Sequence, residues 1–511
     1  MESEQENNSR PSISSWESFW NMEILNEMQR RKCIFTSLCA IVFFFVVVSK
    51  LYKRTSIWEQ FQTPHQALSV EEVILSLSWP PSSSNITSFS NSSSALHSVV
   101  RLEQPGAQYC VGDTLSVLVE MRNYAGLPKA HGGDFILARI HSPELQAGAS
   151  GDVTDFRDGT YRVRFRLFWP GEVQVSVRLI HSSETVKILQ RDWMQDYNRA
   201  MYTGTFIRGE KTETSQCTLR LSSDRPLCEY MKKEDGGYYA CYQPQTLSCS
   251  SLTLLRTYIP PDPHLTEVEA QLLDQKNAGI EMTNSFGPVI VLGCTGSFLS
   301  EVAITRCLKG KTLYLLGDST VRQWMEYLEE KLKGLILIKK AYNSKLAVNA
   351  HNGITVRWAR HSHPWIAFYH FYIKGSVHIP KALDGIAVGG RQEDMIVVIG
   401  IGQHFRPYPP EVFIRRLLSI RLAIMRLHAR NPQVHIVIKL ENNRDLALQT
   451  ICLSNWYGYM QNLAQRKVFE DMKVTLVDAW DMSVAANSLA LHPDEVIVSN
   501  QVSVALSFFC H

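Results

Sequence analysis

The chain has 511 residues, 45% hydrophobic and 20% charged, which is too long for one hydrophobic core, so two or three domains are expected. Its 52 basic and 49 acidic residues leave a net charge of only +3, with no basic run interleaved with aromatics, and this argues against nucleic acid as a partner. The 11 cysteines lack paired CxxC spacing and speak for disulfides in an oxidising compartment.

Cys33–Ser49 reads CIFTSLCAIVFFFVVVS without a charge, and Leu51 and Tyr52 lengthen it. A spanning helix needs about 20 apolar residues and tolerates about 17. A transmembrane anchor is therefore expected over 33–52, behind a cytoplasmic tail over 1–32. The long polar leader and the lack of a small-x-small site after Val48 argue against a cleaved signal peptide. Arg30, Arg31 and Lys32 are balanced by Lys50, Lys53 and Arg54, so charge does not set the orientation. The glycosylation sequons at Asn85 and Asn91 do: both lie beyond the span and favour a single-pass type II protein of the secretory pathway. A Golgi location is the first expectation and a secreted form the alternative.

Residues 53–98 include PPSSSNITSFSNSSS, a composition that reads as a flexible, glycosylated stem. From 99 to 200 the pattern becomes short alternating strands, TLSVLVEMR, FILARIHS, YRVRFRLFW and VQVSVRLIH, separated by turn dipeptides such as Asp158-Gly159 and Pro170-Gly171. An all-β immunoglobulin-like or filamin-like sandwich is expected, serving as a spacer or as a module for a protein partner. Cys217, Cys228, Cys241 and Cys249 then fall within 201–287, a loop-rich linker that two disulfides would staple. Their spacing lacks a chelating pair, which disfavours zinc.

The residues that carry chemistry lie in 288–511. KTLYLL (311–316) is a buried-strand run, Gly317-Asp318-Ser319 follows, and VRQWMEYLEEKL has helical periodicity. Strand, glycine turn and serine at a helix start place a hydroxyl where helix amides stabilise an oxyanion; Ser319 as a simple N-cap is the plainer reading. Further apolar strands are expected at ITVRW, IAFYHFY, MIVVIGI, VHIVIKL and VTLVDAW, separated by helical stretches. That alternation predicts a doubly wound α/β sheet with its site outside the carboxyl ends of the strands. Gln403 and His404, the Glu441–Arg444 stretch, Asp478, Asp481 and His492 all fall at such ends, in the serine-acid-histidine order of one family of triads. His361 and His363 in RHSHPW lack a third ligand, so packing is preferred to metal binding.

The anchor, the sandwich, the cysteine cluster, GDSTVRQW and AWDMSVAANSLALHPDEV together resemble the NXPE family, which joins a neurexophilin-like domain to a PC-esterase domain similar to SGNH hydrolases. The resemblance covers nearly everything after the stem. It implies a nucleophile at Ser319 and a base at His492, with Arg322, Gln403, Gly317 and Asp318 around the oxyanion. The superfamily's terminal Asp-x-x-His departs here, because Leu489 stands three residues before His492. Asp481 is the first choice for the orienting acid and Asp478 the second. Cys452 is expected to pair with Cys510, and Cys294 with Cys307. The resemblance implies O-acyl, above all O-acetyl, transfer or hydrolysis on a glycan acceptor through an acyl-serine. No bound cofactor is expected; a donor such as acetyl-CoA enters only if the reaction is a transfer. The alternative is a binding protein whose sandwich recognises a protein and whose esterase half is degenerate.

Overall fold

The computed structural model describes residues 68–80, 88–195, 198–222, 224–230, 237–260, 265–292, 301–386, 395–444 and 450–510. The expected span over 33–52, the tail before it, Asn85 and Cys294 lie outside these residues. Among the described residues no helix is long and apolar enough to cross a membrane.

Residues 93–181 alternate in burial with period two, as strands with one face on a core must. One sheet runs β1 (Ser93–Leu102), β3 (Thr114–Asn123), β7 (Thr160–Arg166) and β6 (Asp152–Asp155). The facing sheet runs β2 (Tyr109–Cys110), β15 (Val289–Leu292), β8 (Gly171–His181), β4 (Phe135–Ser142) and β5 (Ala147–Ser150), with β14 (Ile280–Glu281) pairing β8 off the main path. Leu115, Val117 and Val119 of β3 meet Ile136, Ala138 and Ile140 of β4 in one apolar core. Each large aliphatic buried there is worth roughly 1.5–3 kcal/mol. The Asp158-Gly159 turn needs its glycine twice over: φ is +89°, and a Cβ would lie 2.1 Å from the Lys129 carbonyl.

Two disulfides, Cys217–Cys241 and Cys228–Cys249, staple the region that follows. It is less loop-like than its composition suggests. A six-stranded sheet runs β11 (Leu227–Tyr230), β12 (Tyr239–Tyr242), β10 (Lys211–Thr218), β9 (Met201–Arg208), β13 (Leu252–Tyr258) and β20 (Phe371–Tyr372). The last strand comes from the stretch IAFYHFY, expected in the main α/β sheet. Only Phe371 and Tyr372 of it are extended, and they pair with Leu255 and Leu254 of β13.

The C-terminal sheet has seven strands in the order β17 (Ile336–Ala341), β18 (Ser344–Asn349), β19 (Ile354–Arg360), β16 (Thr312–Gly317), β21 (Met395–Gly400), β22 (His435–Lys439) and β23 (Thr475–Val477). From β19 to β23 the pairing is parallel. β17 and β18 add an antiparallel edge. Helices α2 (Ser319–Lys331), α3 (Pro410–Arg430), α4 (Asn455–Phe469), α5 (Ala479–Ala485) and α6 (Glu495–Ser507) connect or follow the parallel strands, and α1 (Val70–Ser76) precedes the sandwich. Burial on both faces explains why the central strands read as continuous apolar runs.

The expected fold class therefore needs correction. A doubly wound sheet behind a sandwich and a spanning helix is replaced, in the described residues, by four sheets in which strands outnumber helices, a mixed C-terminal sheet, and no spanning helix. Part of the expected stem, residues 68–80 and 88–98, carries regular structure. Ser69 and Glu72 form a capping box at the start of α1, whose Val73 is buried. Trp79 donates from Nε1 to the Gly133 carbonyl at 2.9 Å and sets its ring edge-on to Phe135 and Trp456.

A third disulfide among the described residues joins Cys307 to Cys510, which overturns both expected pairs, Cys452 with Cys510 and Cys294 with Cys307. Cys452 keeps its thiol, which is buried and donates to the Arg199 carbonyl at 3.5 Å. Proximity in sequence misled here: the helix ahead of β16 and the chain's end are brought together only by the sheet order.

Candidate active site

β16 and β21 approach so closely at their carboxyl ends that a Cβ on Gly317 would sit 2.2 Å from the Gly400 carbonyl. A glycine is thus required where the chain leaves the sheet. Asp318 caps α2: its Oδ1 accepts from the Thr320 amide at 2.8 Å and from the Thr320 hydroxyl at 2.7 Å. Ser319 becomes the first residue of the helix, where amides without intrahelical acceptors and the helix dipole favour negative charge.

Across from it, His492 lies in the loop between α5 and α6. Its Nε2 is 2.7 Å from Ser319 Oγ. With its proton on Nδ1, the imidazole accepts the serine O–H. Two contacts set this pair. Gln323 donates to the Pro493 carbonyl at 2.7 Å, and Trp324 Nε1 donates to Gln501 Oε1 at 3.0 Å, tying α2 to α6. Gln501 in turn donates to Asn442 Oδ1 at 3.0 Å. Sequence reasoning did not single out these supports, although Gln323 and Trp324 sit inside the GDSTVRQW block.

Burial and the Arg322 cation beside it hold the His492 imidazole below its ordinary value, with Asp318 and Glu326 opposing. A neutral imidazole at pH 7 is the form a general base requires. Arg322 Nε lies 3.1 Å from Glu326, and its guanidinium is 5.9 Å from the Trp358 ring. His404 is half-buried, accepts from the Ile366 amide at 2.8 Å, and is held by desolvation and Arg360 at about 3, so it stays uncharged.

Two expected roles are corrected by the geometry. Gln403 is buried and donates from Nε2 to the Asn442 carbonyl at 3.1 Å, so its amide N–H braces the floor of the site and is not presented to an oxyanion. That leaves the Ser319 amide and the Arg322 guanidinium as candidate donors at this helix start. Asp481 does not orient His492. Its amide donates to Asp478 Oδ1 at 3.0 Å, and its carboxyl is raised to about 6 by burial and by Asp478, with Ser150 and Asp152 of the sandwich nearby. Asp478 caps α5 and pairs with Arg466. Among the described residues, Ser319 is the one side chain hydrogen-bonded to His492.

Beside the dyad, at the end of β19, Arg360 is buried with its guanidinium 5.5 Å from Trp358, 5.6 Å from Tyr342 and 4.9 Å from Phe371. Tyr342 lies 5.7 Å from Tyr372, and Tyr342, Tyr369 and Tyr372 are 45%, 60% and 51% exposed. An aromatic ledge backed by Arg360 thus extends from the Trp358 side of the site.

A serine–histidine dyad at a strand-to-helix turn of a mixed α/β sheet, carried behind a β-sandwich, is the class this geometry defines. Residues 291–510 match the family described as "NXPE family member 4-like, C-terminal domain", and residues 82–259 match "Neurexophilin". The chain belongs to the NXPE family. Among solved structures it is similar to a carbohydrate esterase family 2 (CE2) enzyme plus carbohydrate binding domain of Corynascus thermopiles (Myceliophthora fergusii), at 10% identity, covering 67% of this chain and 93% of that one, with a TM-score of 0.26. It is also similar to invasin, a bacterial integrin-binding protein, at 12% identity, covering 55% and 60%, with a TM-score of 0.15. At these scores neither likeness bears on the argument.

Proposed function

We propose that the chain is a serine O-acyl esterase or acyltransferase acting on glycans. The observation that carries this reading is the 2.7 Å contact between Ser319 Oγ and His492 Nε2 at the start of α2. His492 takes the serine proton as Oγ attacks the acyl carbonyl, and the oxyanion forms against the Ser319 amide and Arg322. Collapse expels the sugar oxygen or other leaving group, which receives the proton from His492 and leaves an acyl-Ser319 ester. Water then regenerates the serine in hydrolysis; a sugar hydroxyl does so in transfer. The exposed tyrosines beside Arg360 support a carbohydrate substrate, since flat rings stack on pyranose faces and the guanidinium donates to hydroxyls. The three disulfides among the described residues and the exposed sequon at Asn91 support residence in the secretory pathway. The purified chain should release acetate from an O-acetylated saccharide, and Ser319→Ala should abolish it.

Among the described residues no carboxylate is hydrogen-bonded to His492, which favours a second reading, a binding protein with a degenerate site. That reading predicts no acyl turnover by the unaltered chain and binding through the sandwich alone.

A further inference from the structure

Antiparallel sandwich sheets ordinarily turn one face to a core and the other to water. On the sheet containing β4 and β8, the outward positions include Arg139 and His141 on β4 and Gln174, Ser176 and Arg178 on β8. Arg139 pairs with Ser176, His141 with Gln174, and Leu137 with Arg178, so the two arginines are diagonal neighbours on one face. This face is only partly covered. Asn284, Phe286 and Asn487 help to line it, and a cavity of about 430 Å³ remains between them.

The cavity's chemistry is unbalanced. Arg139 Nε, Arg178 Nε and His141 Nδ1 are buried without a hydrogen-bond partner among the described residues. One carboxylate, that of Glu281, stands 3.5 Å from Arg178. The Arg139 guanidinium is held below its ordinary value by burial and by the Arg178 cation. Two like charges and two unanswered guanidinium N–H groups in one partly covered cleft form an acceptor-seeking set. Their volume suits a small ligand, since pockets of this kind run from roughly 300 to 1,000 Å³.

We propose that this cavity binds a small polar ligand through an oxyanion group, a carboxylate or a sulfate, gripped by Arg139 and Arg178. Guanidinium forks match planar or tetrahedral oxyanions, and Gln174 and Asn284 supply neutral contacts to the rest of the ligand. The site is separate from the catalytic dyad: none of its lining residues hydrogen-bonds to Ser319 or His492. It nevertheless touches the chain that leads to His492. Arg139 Nη1 donates to the Ala485 carbonyl at 3.0 Å, and Asn487, at φ +52°, lies in the cavity wall. The proposal stands whether or not the dyad turns over an ester.

The test is titration calorimetry of the purified full-length chain with sodium sulfate, with glucuronate and with glucose as the neutral control. Saturable binding of sulfate or glucuronate, but not glucose, is expected, and the anion that binds tells a sulfate head from a carboxylate. Arg178→Gln should weaken that binding at least about tenfold, as loss of a charge-assisted pair does. Arg139→Gln should do the same, and Ser319→Ala should leave it unchanged. Thermal melting without anion checks folding. If Arg139→Gln unfolds because its Ala485 contact is lost, Arg178→Gln, which has no such contact, decides alone. Absence of saturable binding by both anions, or undiminished binding in folded Arg178→Gln, would overturn the proposal.

Discussion

Gln323, on the first turns of the helix that Ser319 opens, donates to the carbonyl of Pro493 at 2.7 Å, one residue past His492. The nucleophile's own helix therefore grips the loop that carries its base. Among the described residues no carboxylate is hydrogen-bonded to His492, and this backbone contact takes over part of the task of fixing its imidazole.

Gln323→Leu should therefore lower kcat by roughly tenfold or more while leaving the melting temperature within a few degrees, because a 1 Å misplacement at a reacting pair is costly. Steady-state kinetics on an O-acetylated saccharide read the first effect and thermal melting the second. An unchanged kcat would show that the loop is held by other contacts.

The pH profile follows from His492. It must be neutral to accept the serine proton, so activity falls as pH drops through its value. Burial and Arg322 hold that value below 6.5. The acid limb of kcat/KM should accordingly lie below pH 6.5. Arg322→Gln removes the adjacent cation and should move the limb upward, while also reducing kcat if the guanidinium faces the oxyanion.

The ledge should separate recognition from chemistry. Tyr342→Ala and Tyr369→Ala should raise KM for an acetylated oligosaccharide severalfold and leave hydrolysis of p-nitrophenyl acetate unchanged. Aromatic stacking contributes about 0.5–1.5 kcal/mol per contact, which corresponds to this range. Equal losses on both esters would place these tyrosines in the catalytic machinery or the fold instead.

The Cys307–Cys510 bridge closes a sequence separation of 203 residues. Cys510→Ser should destabilise the C-terminal sheet by about 3–5 kcal/mol, a loss measured by denaturant unfolding, because so long a loop regains much entropy once unlinked. A variant as stable as the unaltered chain would mean that the packing of α6 alone holds this terminus.

Much of the site was legible in the sequence because local rules dictate it. A glycine turn between a buried strand and an amphipathic helix has few conformations, and Gly317, Asp318 and Ser319 read accordingly. His492 was legible through the block around it. Asp481 misled because a carboxylate near the last strand invites a triad, whereas α5 turns its first residues toward Asp478 and the sandwich, a tertiary fact without a local signal. Gln403 misled similarly, since only the fold shows that the Asn442 carbonyl takes its N–H. The strand edge at β17 and β18 was missed because LILIKKAYNSKLAVN lacks a clear alternation, and Phe371 left the main sheet for β13 through pairing that no local pattern encodes.

The central claim, that His492 activates Ser319 as a nucleophile, is tested most directly by a fluorophosphonate probe read by mass spectrometry. The purified chain should gain one adduct, on the peptide containing Ser319. Ser319→Ala should gain none, and His492→Ala should label at least about a hundredfold more slowly, since removing the base disables the same step. An unlabelled Ser319 in the folded, unaltered chain, or labelling undiminished in His492→Ala, would contradict the account.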